Sequence, residues 1–180
     1  MDDLNLSATT TKNEIQRRAP WMLLGLAAGI VMVFVGQHYE DTLAQKIEVV
    51  FFIPMIVYMS DIIGTETLAL FVRELALRRV SLHRVFWREV ATGLALGLIT
   101  GIPMGVFGYL WLGDFQLAMT LVLTMAINGI VAVVTGMLAP MIFAKLKRDP
   151  ALGTDEVTTA VSDNVSMLIY LMTATFILFE

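Results

Sequence analysis

PMIVYMSDIIGTETLALFVRE, residues 54–74, lies inside an apolar run that is long enough to cross a bilayer, yet it carries Asp61 near its middle and Glu66 five residues later. An ionised side chain at mid-membrane costs roughly 2.5–3.5 kcal/mol on insertion scales. A helix that keeps two carboxylates there needs an interior lined by protein or water, or a cation to face. The rest of the chain decides whether this run crosses a membrane at all.

It is one of five such runs. Residues 19–36, 49–72, 90–113, 115–144 and 157–179 are each near or above the roughly 20 residues that a helix needs to cross about 30 Å of hydrocarbon. The chain is 57% hydrophobic with mean hydropathy +0.76, against roughly 45–50% apolar for a soluble domain. The runs largely lack the polar face of a soluble core helix. The expected fold is an all-α integral membrane domain of five transmembrane helices over 19–180, preceded by a polar, disordered tail over 1–18. No basic, apolar-cored signal peptide opens the chain. Cysteine is absent, which excludes disulfides and thiolate metal sites.

Charge placement predicts orientation. The tail and the second and fourth loops together hold eleven of the twelve basic residues. The first loop, QHYEDTLAQKIE (37–48), has only Lys46, and the third is little more than Gly113–Asp114. By the positive-inside rule the N-terminus is cytoplasmic and the C-terminus outside. The second loop, RELALRRVSLHRVFWRE (73–89), reads as an ordinary basic connector or as an amphipathic helix on anionic lipid. No nucleic-acid partner is implied.

Glycines 93, 97, 101 and 105 recur every fourth residue in the third run, and Gly25 and Gly29 share that spacing in the first. Such faces permit close backbone approach between helices. Pro103 predicts a kink that frees a carbonyl. Pro140 offers an early end to the long fourth run.

Three acids fall within the apolar runs: Asp61, Glu66 and Asp163. Counting 1.5 Å per residue from each run's centre puts Glu66 and Asp163 both roughly 8 Å to the cytoplasmic side, with Asp61 near the midplane. Equal depth on two helices suits a shared cation, and Asp61 suits a second position along a path. Residues five apart on a straight helix point about 140° apart, so Asp61 and Glu66 face one pore only if the helix unwinds at Gly64. Otherwise one of them points elsewhere, with Arg73 a distant partner for Glu66. Asn128 and Thr159 add neutral oxygen. With both histidines in loops, this oxygen-only set suits Mg²⁺, Ca²⁺ or Mn²⁺ and serves Zn²⁺ or copper poorly. The candidate metal-binding residues are Asp163, Glu66, Asp61, Asn128 and Thr159. No nucleophile–base pair, phosphate loop or metalloprotease spacing marks an enzyme.

RRAPWMLLGL (17–26), FFIP (51–54), Gly64 and Arg73, REV-x-x-G-x-x-L-G from residue 88, DPAL (149–152), Thr158–Thr159 and Asp163 together resemble the membrane domain of the MgtE family of magnesium channels and transporters. The resemblance implies a homodimer in a cell membrane, with an ion path lined by the second and fifth helices. It makes Asp163 the central ligand, Mg²⁺ the transported ion, and no resident cofactor. Two departures accompany it. Ser60, Asp61 and Ile62 stand where Gly-Gly-Asn is usual, and Glu66 replaces a usual Gln. The cytoplasmic sensor and CBS domains of many members are also expected to be missing. A cation/proton exchanger on the same helices, and a non-transporting subunit that binds a partner, remain open alternatives.

Overall fold

The computed structural model describes residues 11–76, 82–146 and 154–179. Six helices follow in order: α1 (Thr11–His38), α2 (Glu40–Gln45), α3 (Glu48–Ala76), α4 (Leu82–Leu112), α5 (Phe115–Lys145) and α6 (Thr154–Phe179). All but α2 are long and apolar enough to cross a membrane. Their 26–31 residues reach roughly 39–47 Å at 1.5 Å per residue, close to a bilayer with its headgroups. This is the expected all-α, five-span architecture, and the protein is an integral membrane protein.

Some boundaries differ. Helix α1 starts at Thr11, so 11–18 are helical, supported by a Glu14–Arg18 pair at 3.1 Å. Residues 1–10 lie outside the described part, as do Arg78 and Arg79 in the second loop and Lys147, Arg148 and DPAL (149–152) in the fourth. Helix α4 runs through Pro103 and α5 through Pro140 without interruption. The first loop contains α2, a single short helix that its length did not suggest. At the start of α4, Phe86 and Trp87 are exposed, and the Trp87 indole donates to His83 Nε2 at 3.3 Å.

Helix α5 sits at the centre, packed on α3, α4 and α6, while α1 touches only α6 and the short α2. The glycine face of α4 is spent on α5. A Cβ at Gly93 would strike the Gly129 carbonyl, one at Gly97 the Met125 carbonyl, and one at Gly105 would lie 2.6 Å from Val122 Cγ2. On its other side α5 meets α3 the same way: a Cβ at Gly136 would lie 2.6 Å from the Gly64 carbonyl. In lipid there is no hydrophobic drive between helices, so this contact area carries the association. The core around it holds Phe52, Ile56, Leu121, Met125, Tyr170 and Leu171. The Tyr170 hydroxyl, fully buried, donates to the Val49 carbonyl at 2.9 Å.

The link between α4 and α5 is two residues. Gly113 takes φ +70°, which favours glycine, and Asp114 caps α5 by accepting from the Leu117 N–H at 3.0 Å. Asp114 also pairs with Lys46, joining the α2–α3 corner to the α4–α5 turn. Burial pushes the Asp114 carboxyl up, but the Lys46 ammonium and the Leu117 N–H outweigh it and hold the group below its usual range. At the opposite end, Arg88 of α4 reaches Glu74 of α3 at 2.9 Å.

Two outcomes are expected. Gly97→Ala or Gly129→Ala should cost about 1–3 kcal/mol, read as a lower melting temperature in detergent, because backbone cannot move aside. Gly25→Ala should leave it unchanged, since a Cβ there meets nothing within 4 Å. Lys46→Met should destabilise at neutral pH. Because the folded-state value of Asp114 is lowered, its contribution is present above the unfolded value of about 3.9 and is lost as pH falls through the folded one. The melting gap between variant and parent should therefore narrow on acidification below that range.

Candidate functional site

Helix α3 settles the geometry of its two acids. It is continuous from Glu48 to Ala76, and hydroxyl bonds follow its ladder: Ser60 to the Ile56 carbonyl at 2.9 Å, Thr65 to that of Asp61 at 2.9 Å, Thr67 to that of Ile63 at 2.8 Å. There is no unwinding at Gly64, whose close fit to α5 uses the regular helix instead. On such a helix Asp61 and Glu66 cannot share a direction. Asp61 is half-buried and turned toward α6. Glu66 is exposed, as are Ala69, Leu70 and Arg73 beyond it. Among the described residues Glu66 has no salt bridge to Arg73.

Asp61 meets the fifth crossing helix directly. Its Oδ1 accepts from the Thr159 hydroxyl at 2.9 Å. Asp163, one turn further along α6, lines the same cleft of about 400 Å³ as Asp61, together with Met32, Val57 and Tyr58. Asp163 also borders a second cleft of about 380 Å³ between α1 and α6, beside Trp21, Gly25, Gly29, Glu156 and Thr159. The open Gly25–Gly29 face of α1 therefore leaves room beside an acid, unlike the filled glycine face of α4. Oδ1 of Asp163 is buried and has no hydrogen-bond partner among the described residues. Two like charges on one cleft repel, and a cation between them relieves both.

The depths counted from run centres need correction. They put Asp61 at the midplane and Thr159 nine residues, or roughly 13 Å, to the cytoplasmic side. The hydrogen bond brings them level, so α3 and α6 are offset along the bundle. Asp163 consequently shares its surroundings with Asp61, not with Glu66. Centre-counting fails because it sets the middle of every run at one depth, whereas α3 and α6 are offset against each other.

Asn128 lies apart from both clefts. It is fully buried between α5 and α6, and its Nδ2 donates to the Ser166 carbonyl at 3.3 Å. Its Oδ1 and the hydroxyls of Thr124, Ser162 and Ser166 are buried in the same interior without partners among the described residues. Of the five residues singled out in the sequence, the structure brings together Asp61, Thr159 and Asp163, and it places Glu66 outside and Asn128 behind. It adds Tyr58 and Glu156. Both were within reach of helical spacing, Tyr58 three residues before Asp61 and Glu156 seven before Asp163. The α1 wall had no such signal. Among the described residues no three His, Cys, Asp or Glu side chains converge as a metal cluster. A cation here has two carboxylates from one chain and must draw its other ligands from water, neutral oxygen or a second chain.

Residues 53–173 match the family model MgtE, described as a divalent cation transporter. The chain belongs to the MgtE family. Asp61, Glu66 and Asp163 all lie inside the matched region. Among curated relatives, the magnesium transporter MgtE of Bacillus subtilis (strain 168) is 30% identical over 162 residues, covering 88% of this chain and 36% of that protein. The magnesium transporter MgtE of Enterococcus faecalis is 31% identical over 157 residues, covering 86% and 35% respectively. That of Thermus thermophilus is 27% identical over 164 residues, covering 89% and 36%. The chain thus spans about a third of the length of these relatives.

Because the chain has no cysteine, a single introduced thiol reports the cleft cleanly. Tyr58→Cys should react with a water-soluble thiol reagent and be slowed by millimolar Mg²⁺. Asn128→Cys, in the buried interior, should stay unreactive with or without the ion.

Proposed function

We propose that this chain carries divalent cations, Mg²⁺ first, across a cell membrane as a channel or transporter. The observation that supports this most directly is the pairing of Asp61 on α3 and Asp163 on α6 along one cleft of a membrane-spanning bundle. A family described as a divalent cation transporter adds to it. The ion is cargo, not a resident cofactor. An all-oxygen lining suits a hard divalent cation, and relatives that are magnesium transporters put Mg²⁺ first. The basic residues of the tail and of the second and fourth loops support a cytoplasmic N-terminus and an outside C-terminus.

Glu66 supports a second copy. An exposed carboxylate on a spanning helix would face hydrocarbon in a lone chain, at a cost of roughly 2.5–3.5 kcal/mol. A partner chain against this face of α3 removes that exposure and brings Glu66 into a shared path. We therefore read the protein as a homodimer in which α3 and α6 of both copies border the ion, with Asp163 the principal ligand and Asp61 and Glu66 additional ones. Asn128 acts from behind, supporting α6.

The test is uptake of Mg²⁺, Ca²⁺ and Mn²⁺ into proteoliposomes. Asp163→Asn should abolish uptake while the variant melts like the parent. Uptake that depends on an imposed pH gradient would turn the reading to exchange with protons. Absence of uptake by folded parent protein would sink it and favour a subunit that binds a partner.

A further inference from the structure

Thr159 behaves unlike most of the threonines on these helices. Thr65, Thr100, Thr120 and Thr135 each donate to a carbonyl three or four residues back on their own helix, at 2.8–3.2 Å. That is the usual satisfaction of a hydroxyl in an apolar helix. Thr159 instead donates across the bundle to the Asp61 carboxylate at 2.9 Å. It does so one turn before Asp163, on the same face of α6.

We infer that Thr159 is a positioning residue that holds Asp61 against α6, so that the acids of α3 and α6 act as one two-carboxylate site that admits cations able to shed water. This rests on the transport reading above. A β-branched side chain has few χ1 choices, so the Thr159 hydroxyl is a stiff anchor. It occupies Oδ1 of Asp61 and leaves Oδ2 for the cleft. Four residues of helix separate Thr159 from Asp163, a rise of about 6 Å, so the anchor keeps the two carboxylates within a turn of each other. Without it, no other side chain among the described residues hydrogen-bonds the Asp61 carboxylate, and the site reverts to Asp163 alone. Direct binding by a fixed carboxylate pair favours Mn²⁺ and Ca²⁺, which exchange water for carboxylate more readily than Mg²⁺ does. Thr159 and Asp61 then set the ion preference, and Asp163 sets whether transport occurs.

The experiment measures Mn²⁺ and Mg²⁺ binding by calorimetry on the full chain in detergent, with uptake of both ions in proteoliposomes. Thr159→Val should weaken Mn²⁺ binding by about tenfold, the lower end of what loss of an outer-shell partner costs. It should affect Mg²⁺ less, while Thr159→Ser, which keeps the hydroxyl without the β-branch, should lose less than Thr159→Val. The deciding comparison is the double variant. If Thr159 works through Asp61, adding Thr159→Val to Asp61→Asn changes nothing further, whereas a merely structural threonine would weaken binding equally in both backgrounds. Equal losses in the two backgrounds, or an unchanged Mn²⁺-to-Mg²⁺ ratio in Thr159→Val, would overturn the inference and leave the transport reading standing. A parent protein that binds neither ion would remove both. Should Thr159→Val fail to fold, the same comparison is made with Thr159→Ala.

Discussion

The bundle depends on how closely α5 approaches its neighbours. Lipid offers apolar side chains what another helix offers, so helices associate only where surfaces fit more tightly than acyl chains do. Here the fit comes from absent side chains. Gly93 and Gly97 of α4 and Gly129 of α5 leave backbone against backbone, and Gly64 and Gly136 do the same between α3 and α5. With α5 fixed to both, α6 lies against α3 and α5 together. That arrangement turns Asp61 toward Thr159.

The same packing explains why α3 stays regular. A broken helix would let both of its acids face one path, but Gly64 is already used as a contact surface. A straight α3 must send Asp61 and Glu66 in different directions. One acid meets α6 of its own chain and the other is left on the outside. The division of the two carboxylates is thus a consequence of helix periodicity and of where α5 needs a glycine.

Helix α1 contrasts with this core. Among the described helices it packs along α6 and not on α3, α4 or α5, with the Asn164 amide donating to the Ala28 carbonyl at 3.1 Å. A Cβ added at Gly25 or Gly29 would meet nothing within 4 Å, and clefts open on either side of this seam. Asp61 and Asp163 therefore sit between a tightly packed core and a helix that packs on α6 alone of the other spanning helices described. A site that must admit and release its ion is better placed there than within the α4–α5 contact.

Much of this was legible in the residues. Long apolar runs can only be spanning helices, since a backbone in hydrocarbon must satisfy itself. Ionised groups in such runs are costly enough to mark Asp61, Glu66 and Asp163 without any structure. The four-residue glycine spacing of α4 correctly announced a packing face. The identical spacing in α1 did not mean the same thing, because spacing says that a close approach is allowed and not that a partner arrives. Nor could depth counting tell that Asp61 stands level with Thr159, or that Asn128 faces away from the acids. Which oxygens meet is set by the tilt, offset and rotation of whole helices against each other. Those quantities arise from packing between distant segments, and only the tertiary structure decides them.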